Sequence, residues 1–324
     1  MFKSTLIIST AFMLMPTLAS AQGLDSPLNN SLNAHKVALN VHNVAQSTVR
    51  ATAAASRDVD ESVILVAEAP TQMAAGENVE KVEKMVKKAD LMKPSIHSDW
   101  TDILQSYVGA PDSNGLAHFN YADLKVNTAD KAKLDGYIES LEAMNPDSLS
   151  DNEAIAFWAN LYNAVTIQVI VDYYPIKSIK KLGSFNSGPW KKDLVTVNGK
   201  KMSLNDIEHG TLRKNYPNPA YVHYMVNCAS IGCPNLLNEA WEADTLIEQR
   251  KKSAADYINS PRGAMADGND LTVSSIYDWF QEDFGGSKGG VIEHLSKYAT
   301  GDLAAAIQNG AKIDDFEYDW SLNE

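Results

Sequence analysis

Cys228 and Cys233 are the two cysteines of this 324-residue chain, and both fall in His223-Tyr-Met-Val-Asn-Cys-Ala-Ser-Ile-Gly-Cys-Pro-Asn-Leu236. Sulfur at two points of one loop allows several chemistries. A thiolate attacks a carbonyl, thioester or amide once a base takes its proton. Two thiols join as a disulfide when their Cα atoms lie about 4.4–6.8 Å apart. Two thiolates with His209 and His223 have the ligand types for zinc, but the C-x4-C spacing is loose for the usual zinc ribbons, and no metal or cofactor is expected. The spacing is also not the C-x-x-C of thioredoxin-like proteins.

In the enzyme reading, Cys228 or Cys233 attacks, and His209 or His223 accepts the proton. Glu208 or an asparagine orients the imidazole, and loop amides hold the oxyanion. In the binding reading, Cys228 and Cys233 form a disulfide closing a tight loop, and the polar residues around it line a recess for a small molecule, a peptide or an envelope protein. Such a short loop gains little chain entropy from the bond, so it would be local or redox-labile. The polar binding candidates common to both are Asn160, Tyr162, Asn163, Arg213, Asn227 and Ser230.

These residues need elements to carry them. Ser98 starts a helix through Val108, Pro111 to Gly115 is a turn, Leu116 to Tyr121 alternates as a strand, and Ala122 starts a second helix. Ser150 with Glu153 forms a capping box, and Ala154 to Tyr174 is apolar nearly all round until Pro175, which predicts a central buried helix. Asn160 and Asn163 share one face of it beside Tyr162, either tied to neighbouring backbone or lining a site. Asn198-Gly199 between Leu194–Val197 and Lys200–Met202 predicts a hairpin. Ser203 and Asp206 cap a helix to about Lys214, with Glu208 inside its apolar stripe and His209 and Arg213 toward the other side. A carboxylate facing inward is costly unless paired.

Ala220 to Asn227 reads as a central strand. Pro234 then suits the first position of a helix, with Cys233 as its N-cap and a thiol pKa lowered from about 8.5 toward roughly 3.5–7.5. Strand alternation puts His223 and Cys228 on opposite faces and leaves His209 as the better base. Asp278, Glu282 and Asp283 beside Trp279 and Phe280 read as a solvated rim without a role.

The compartment sharpens what a cysteine pair means. Lys3, the apolar run Leu6 to Leu18 and Ala19-Ser20-Ala21 have the pattern of a cleaved leader over 1–21, placing the protein in the periplasm or outside the cell. Residues 22–98 are rich in Ala, Ser and Asn and read as a flexible tether with one amphipathic helix at 79–92. Residues 99–324 are long enough for a globular domain with its own core. The run Ala154 to Val171 is broken by Asn160, Asn163 and Gln168, so no integral membrane segment is expected after the leader. With 28 Lys+Arg against 41 Asp+Glu the formal charge is −13, which argues against nucleic acid or anionic lipid as the main partner.

Five blocks together resemble the domain of unknown function 547 family, from Trp100 to the C-terminus. They are Phe157 to Ile167, Ser203 to Arg213, His223 to Leu236, Leu271 to Phe284 and Tyr318 to Asn323. The Asn-Leu-Tyr-Asn and Cys-Ala-Ser-x-x-Cys-Pro blocks are the most specific. The resemblance implies a shared fold and a shared polar constellation on Asn160, Tyr162, Asn163, Glu208, His209, Arg213, His223, Cys228, Ser230 and Cys233. It implies no reaction. The expected fold is α+β (mixed α/β): a single domain with a central buried helix packed on a small, mostly antiparallel sheet. A papain-like or transglutaminase-like arrangement suits the order of histidine before cysteine.

Overall fold

The structure is a computed structural model, and it describes residues 95–183 and 188–324. The leader at 1–21, the helix at 79–92 and most of the 22–98 tether lie outside the described residues. Helices α1 (Ser98–Tyr107), α2 (Tyr121–Val126) and α3 (Thr128–Glu142) precede the long α4 (Asp151–Tyr173). The capping box of α4 forms as its sequence requires: Glu153 accepts from the Ser150 N–H at 2.8 Å and from its hydroxyl at 2.6 Å. α4 has the length and composition of a membrane span, yet 94% of that window is buried inside the protein. It is the core helix of the described chain; it packs on α2, α3 and the Glu208–Leu212 turn, and Val195, Val197 and Met202 of the Asn-Gly hairpin share its core.

After α4, β1 (Val195–Val197) and β2 (Lys200–Met202) pair antiparallel around Asn198 and Gly199, whose φ angles of 51° and 73° are those the Asn-Gly turn demands. Next come α5 (Leu204–Ile207), a π-helical turn at Glu208–Leu212, α6 (Arg213–Asn215) and α7 (Val222–Met225). α8 (Leu246–Ile258) leads to β3 (Ala264–Asp267), β4 (Asp270–Ser274), α9 (Ile276–Trp279), α10 (Lys288–Ser296), α11 (Gly301–Gln308) and β5 (Lys312–Glu317). β3 and β4 are antiparallel, while β4 and β5 run parallel. The architecture is α+β, as expected. It has two hydrophobic cores, one around α1 to α4 and one between α8, the three-stranded sheet and α10.

Three local expectations fail. Ala220–Asn227 is not a strand: Pro219–Tyr221 is a 3-10 turn and Val222–Met225 is a helix. Its four side chains are all buried, and the Met225 carbonyl is taken by Asn163 at 2.9 Å and by the Trp241 indole at 3.1 Å, which substitutes for a ladder. No helix follows Pro234, so Cys233 is not an N-cap. The Leu116–Tyr121 segment makes one bridge, Val108 to Phe119, and Tyr121 already opens α2.

Candidate functional site

The cysteine loop is pinned from several directions. Asn227 receives the Ala229 N–H at 2.7 Å and donates to the Pro234 carbonyl at 2.6 Å, closing the loop on itself. Asn163 on α4 accepts from the Asn227 N–H at 2.8 Å. The C-terminal segment runs alongside: the Ile231 and Gly232 N–H groups donate to Ser321 and Asp319, each at 2.8 Å, and Ser230 bridges Leu322. This brings Tyr318 onto the loop. A Cβ on Gly232 would lie 2.8 Å from the Tyr318 ring, so only glycine permits the approach. Ala229 is held at φ 59°, a left-handed conformation in a residue with a side chain.

Both thiols are free, and they share their neighbours. Cys233 Sγ accepts from the Cys228 N–H at 3.0 Å, meets the Tyr318 hydroxyl at 3.0 Å and receives the Ser230 hydroxyl at 3.5 Å. Cys228 Sγ lies 3.0 Å from the Ser230 hydroxyl and 3.1 Å from that of Tyr318. One proton arrangement gives Cys233 the most donors: Tyr318 and Ser230 donate to a Cys233 thiolate, and the Cys228 S–H donates to the Ser230 oxygen. Burial raises the Cys233 pKa, but the bonds from Cys228, Tyr318 and Ser230 outweigh it and hold the thiol at about 6. Burial pushes the Cys228 thiol well up, and the neighbouring Cys233 charge adds to this. Hydrogen bonds therefore do what the helix dipole was expected to do.

A second group of polar residues faces the same cavity. The π-turn after α5 widens the helix so that consecutive Glu208 and His209 both line it. Arg213 Nη1 donates to His209 Nδ1 at 3.2 Å, and because a guanidinium only donates, a neutral His209 carries its proton on Nε2. Burial and the Arg213 charge hold His209 down at about 4. Asp283 Oδ2 accepts from His223 Nε2 and from Arg213 Nε, both at 2.6 Å. Burial raises the Asp283 carboxyl, and these two bonds overcome it, leaving it at about 2. The carboxylate thus fixes His223 with its Nδ1 turned toward Glu208 Oε1, 3.9 Å away. Burial lowers His223 despite Asp283. Burial pushes Glu208 up to about 7 against the hydrogen bond from Tyr162. Phe280 stacks on His223 at 4.3 Å.

The cavity between these two groups has a volume of about 370 Å³. Of the residues singled out in the sequence, Cys228, Cys233, Glu208, His209, His223 and Tyr162 line it, with Ser230 just behind the sulfurs and Arg213 behind His209. Asn160, Asn163 and Asn227 do not. Asn160 exchanges two bonds with the Trp241 backbone, at 2.9 and 3.0 Å, and the other two amides hold the loop, so all three fasten main chain. Among the described residues no histidine hydrogen-bonds to either sulfur; the thiols' partners are hydroxyls and a backbone N–H. His209 as immediate base for a cysteine is therefore not the arrangement present. No group of three His, Cys, Asp or Glu side chains converges as a metal site among the described residues.

Asp283, read from sequence as a solvated rim, is the anchor of the imidazole group. Tyr318, Trp190, Trp279 and Trp320 were also missed, and they form the aromatic side of the cavity. Asp283 and Tyr318 lie within the Leu271–Phe284 and Tyr318–Asn323 blocks quoted above, which was the one available signal.

An α+β domain with two unbonded thiols in a cavity of mixed polar and aromatic lining is the class these features define. Residues 146–258 match the family described as Protein of unknown function, DUF547, which bears out the resemblance over that stretch. The stretch includes α4, the Glu208–Leu212 turn and the cysteine loop, and stops short of Asp283 and Tyr318. No curated protein and no solved structure matches the chain.

Proposed function

We propose that the chain is a thiol-dependent hydrolase or transferase acting on an amide, peptide or thioester, with Cys233 as nucleophile. The reading rests on one observation: Cys233 Sγ faces an open cavity while accepting hydrogen bonds from Cys228 N–H, Tyr318 and Ser230. The Cys233 thiolate attacks the acyl carbon, forming a C–S bond. As its charge passes to the carbonyl oxygen, the donors that held it become available to that oxyanion. The C–X bond breaks, and Glu208, neutral below about pH 7, gives its proton to the leaving group. Glu208 carboxylate then takes a proton from water as the hydroxide attacks the thioester carbon, and the thiolate leaves. An amine or alcohol in place of water gives transfer. His223, steered by Asp283, offers Glu208 a lone pair through which its proton is exchanged. The leader pattern makes the periplasm or the exterior the place of action.

The two sulfurs share both hydroxyl partners, and this favours one alternative: oxidation joins them and leaves a binding module without chemistry. Thiol titration of exported protein under non-reducing conditions, then iodoacetamide labelling at about pH 6 with mass mapping, separates the two. A thiol of pKa near 6 is about half ionised there, against under about 1% for an ordinary cysteine. Lower intrinsic nucleophilicity takes back part of that, so Cys233 should label about tenfold faster than free cysteine. Sulfurs bonded to each other, and sluggish once reduced, would end the enzyme reading.

A further inference from the structure

The chain is acidic overall, yet Lys191 lines the cavity, and Lys177, Lys180 and Lys181 line a cleft that adjoins it at Trp320. The lysine ion pairs among the described residues all involve other positions. Lys177, Lys180 and Lys181 line a cleft of about 340 Å³ with Ser178, Ser321 and Trp320. Trp320 is also a wall of the thiol cavity, so the two spaces share one indole. The Lys180 ammonium sits 4.7 Å from the centre of that ring, which presents a cation and an aromatic surface together. The neighbouring Asp319 carboxylate is occupied by the Ser321 N–H at 2.8 Å. Trp279 stacks on Trp320 at 5.6 Å and is 45% exposed, extending the apolar face toward solvent.

We propose that the substrate is an acyl compound with an anionic group, carboxylate or phosphate, which lodges in the Lys177–Lys180–Lys181 cleft. Its apolar portion lies on Trp320 and its carbonyl reaches Cys233. This rests on the thiol reading for the reacting end, whereas the cleft supplies specificity. Lysines with no ion pair among the described residues select an anion locally, while the overall charge turns away nucleic acid and other polyanions.

Calorimetry on the full chain with three unreactive aryl ethers tests it: phenoxyhexanoate, phenoxyhexyl phosphate and the neutral phenoxyhexanol. Both anions should bind about fivefold tighter than the alcohol at low salt, with the advantage shrinking as salt rises. The tighter anion identifies the group. The Lys180→Gln/Lys181→Gln double variant should lose the preference, and the salt series on the unaltered protein gives the same answer if that variant folds poorly. Equal affinity for alcohol and anions overturns the proposal even where Cys233 labels quickly. Anion preference in a protein whose Cys233 stays inert keeps the anionic ligand and discards the acyl chemistry.

Discussion

On the cysteine wall of the cavity, the charge on Cys233 is met by neutral donors: two hydroxyls and a backbone N–H. On the imidazole wall, the Asp283 charge is met by the Arg213 guanidinium and the His223 ring, and Glu208 beside them stays protonated up to about pH 7. Neutral donors can follow a charge as it moves from sulfur to a substrate oxygen. A fixed ion pair cannot move, and its use is to hold geometry and keep one proton in reserve. The division of labour is thus between a wall that reacts and a wall that orients.

The largest expected effect tests the reserve proton. Folding raises the Glu208 pKa from 4.5 to about 7, so between those values the unfolded chain ionises while the folded chain keeps the proton, and stability falls as pH rises. Glu208→Gln should abolish that slope and leave the variant more stable than the parent above pH 7 by on the order of 2–3 kcal/mol. Urea melts across this range check it; parallel curves for the two proteins would contradict it.

Asp283→Asn should cost about 2 kcal/mol of stability, below the usual loss for a broken buried pair because the cavity mouth screens it. Asp283 is depressed, so its contribution is present above its ordinary 3.8 and is lost as pH falls through about 2. Thermal melts should show the variant with a flatter acid limb, and the Cys233 labelling profile should barely move. A large shift in that profile would mean that the two walls are coupled.

Tyr318→Phe deletes one donor to Cys233 and should raise its pKa by about one unit, or about 1.4 kcal/mol. The pH dependence of iodoacetamide labelling reads this directly, and an unchanged midpoint would remove Tyr318 from the thiolate's support. The smallest effect is expected from His209→Ala. Its ring is bound to Arg213 and makes no bond to sulfur, so the labelling midpoint should stay within about 0.3 units. A strong slowing would restore a histidine to the role of thiol base.

Local signals were legible where local physics decides. The Ser150/Glu153 box, the Asn198-Gly199 turn and the unbroken apolar run of α4 formed as read, because each is satisfied within a few residues or by burial alone. The Val222–Met225 helix was misread because tyrosine and valine favour any half-buried surface. What removed the ladder there was Asn163 and Trp241, distant in sequence, bonding Met225. Asn160 and Asn163 were singled out correctly as buried amides needing partners, and only the packing showed those partners to be main chain.

By itself, the sequence determined that two cysteines share a short loop, that a carboxylate and imidazole follow a capped helix start, and that one long helix is core. Only the tertiary structure decided that Tyr318 and Ser230 tune the sulfur, and that Asp283 anchors His223 and Arg213. These contacts span up to 90 residues of chain in the case of Cys228 and Tyr318, and 60 in that of His223 and Asp283. Spacing carries chemistry along a helix or a turn, but it carries none between segments that meet only when the chain is folded.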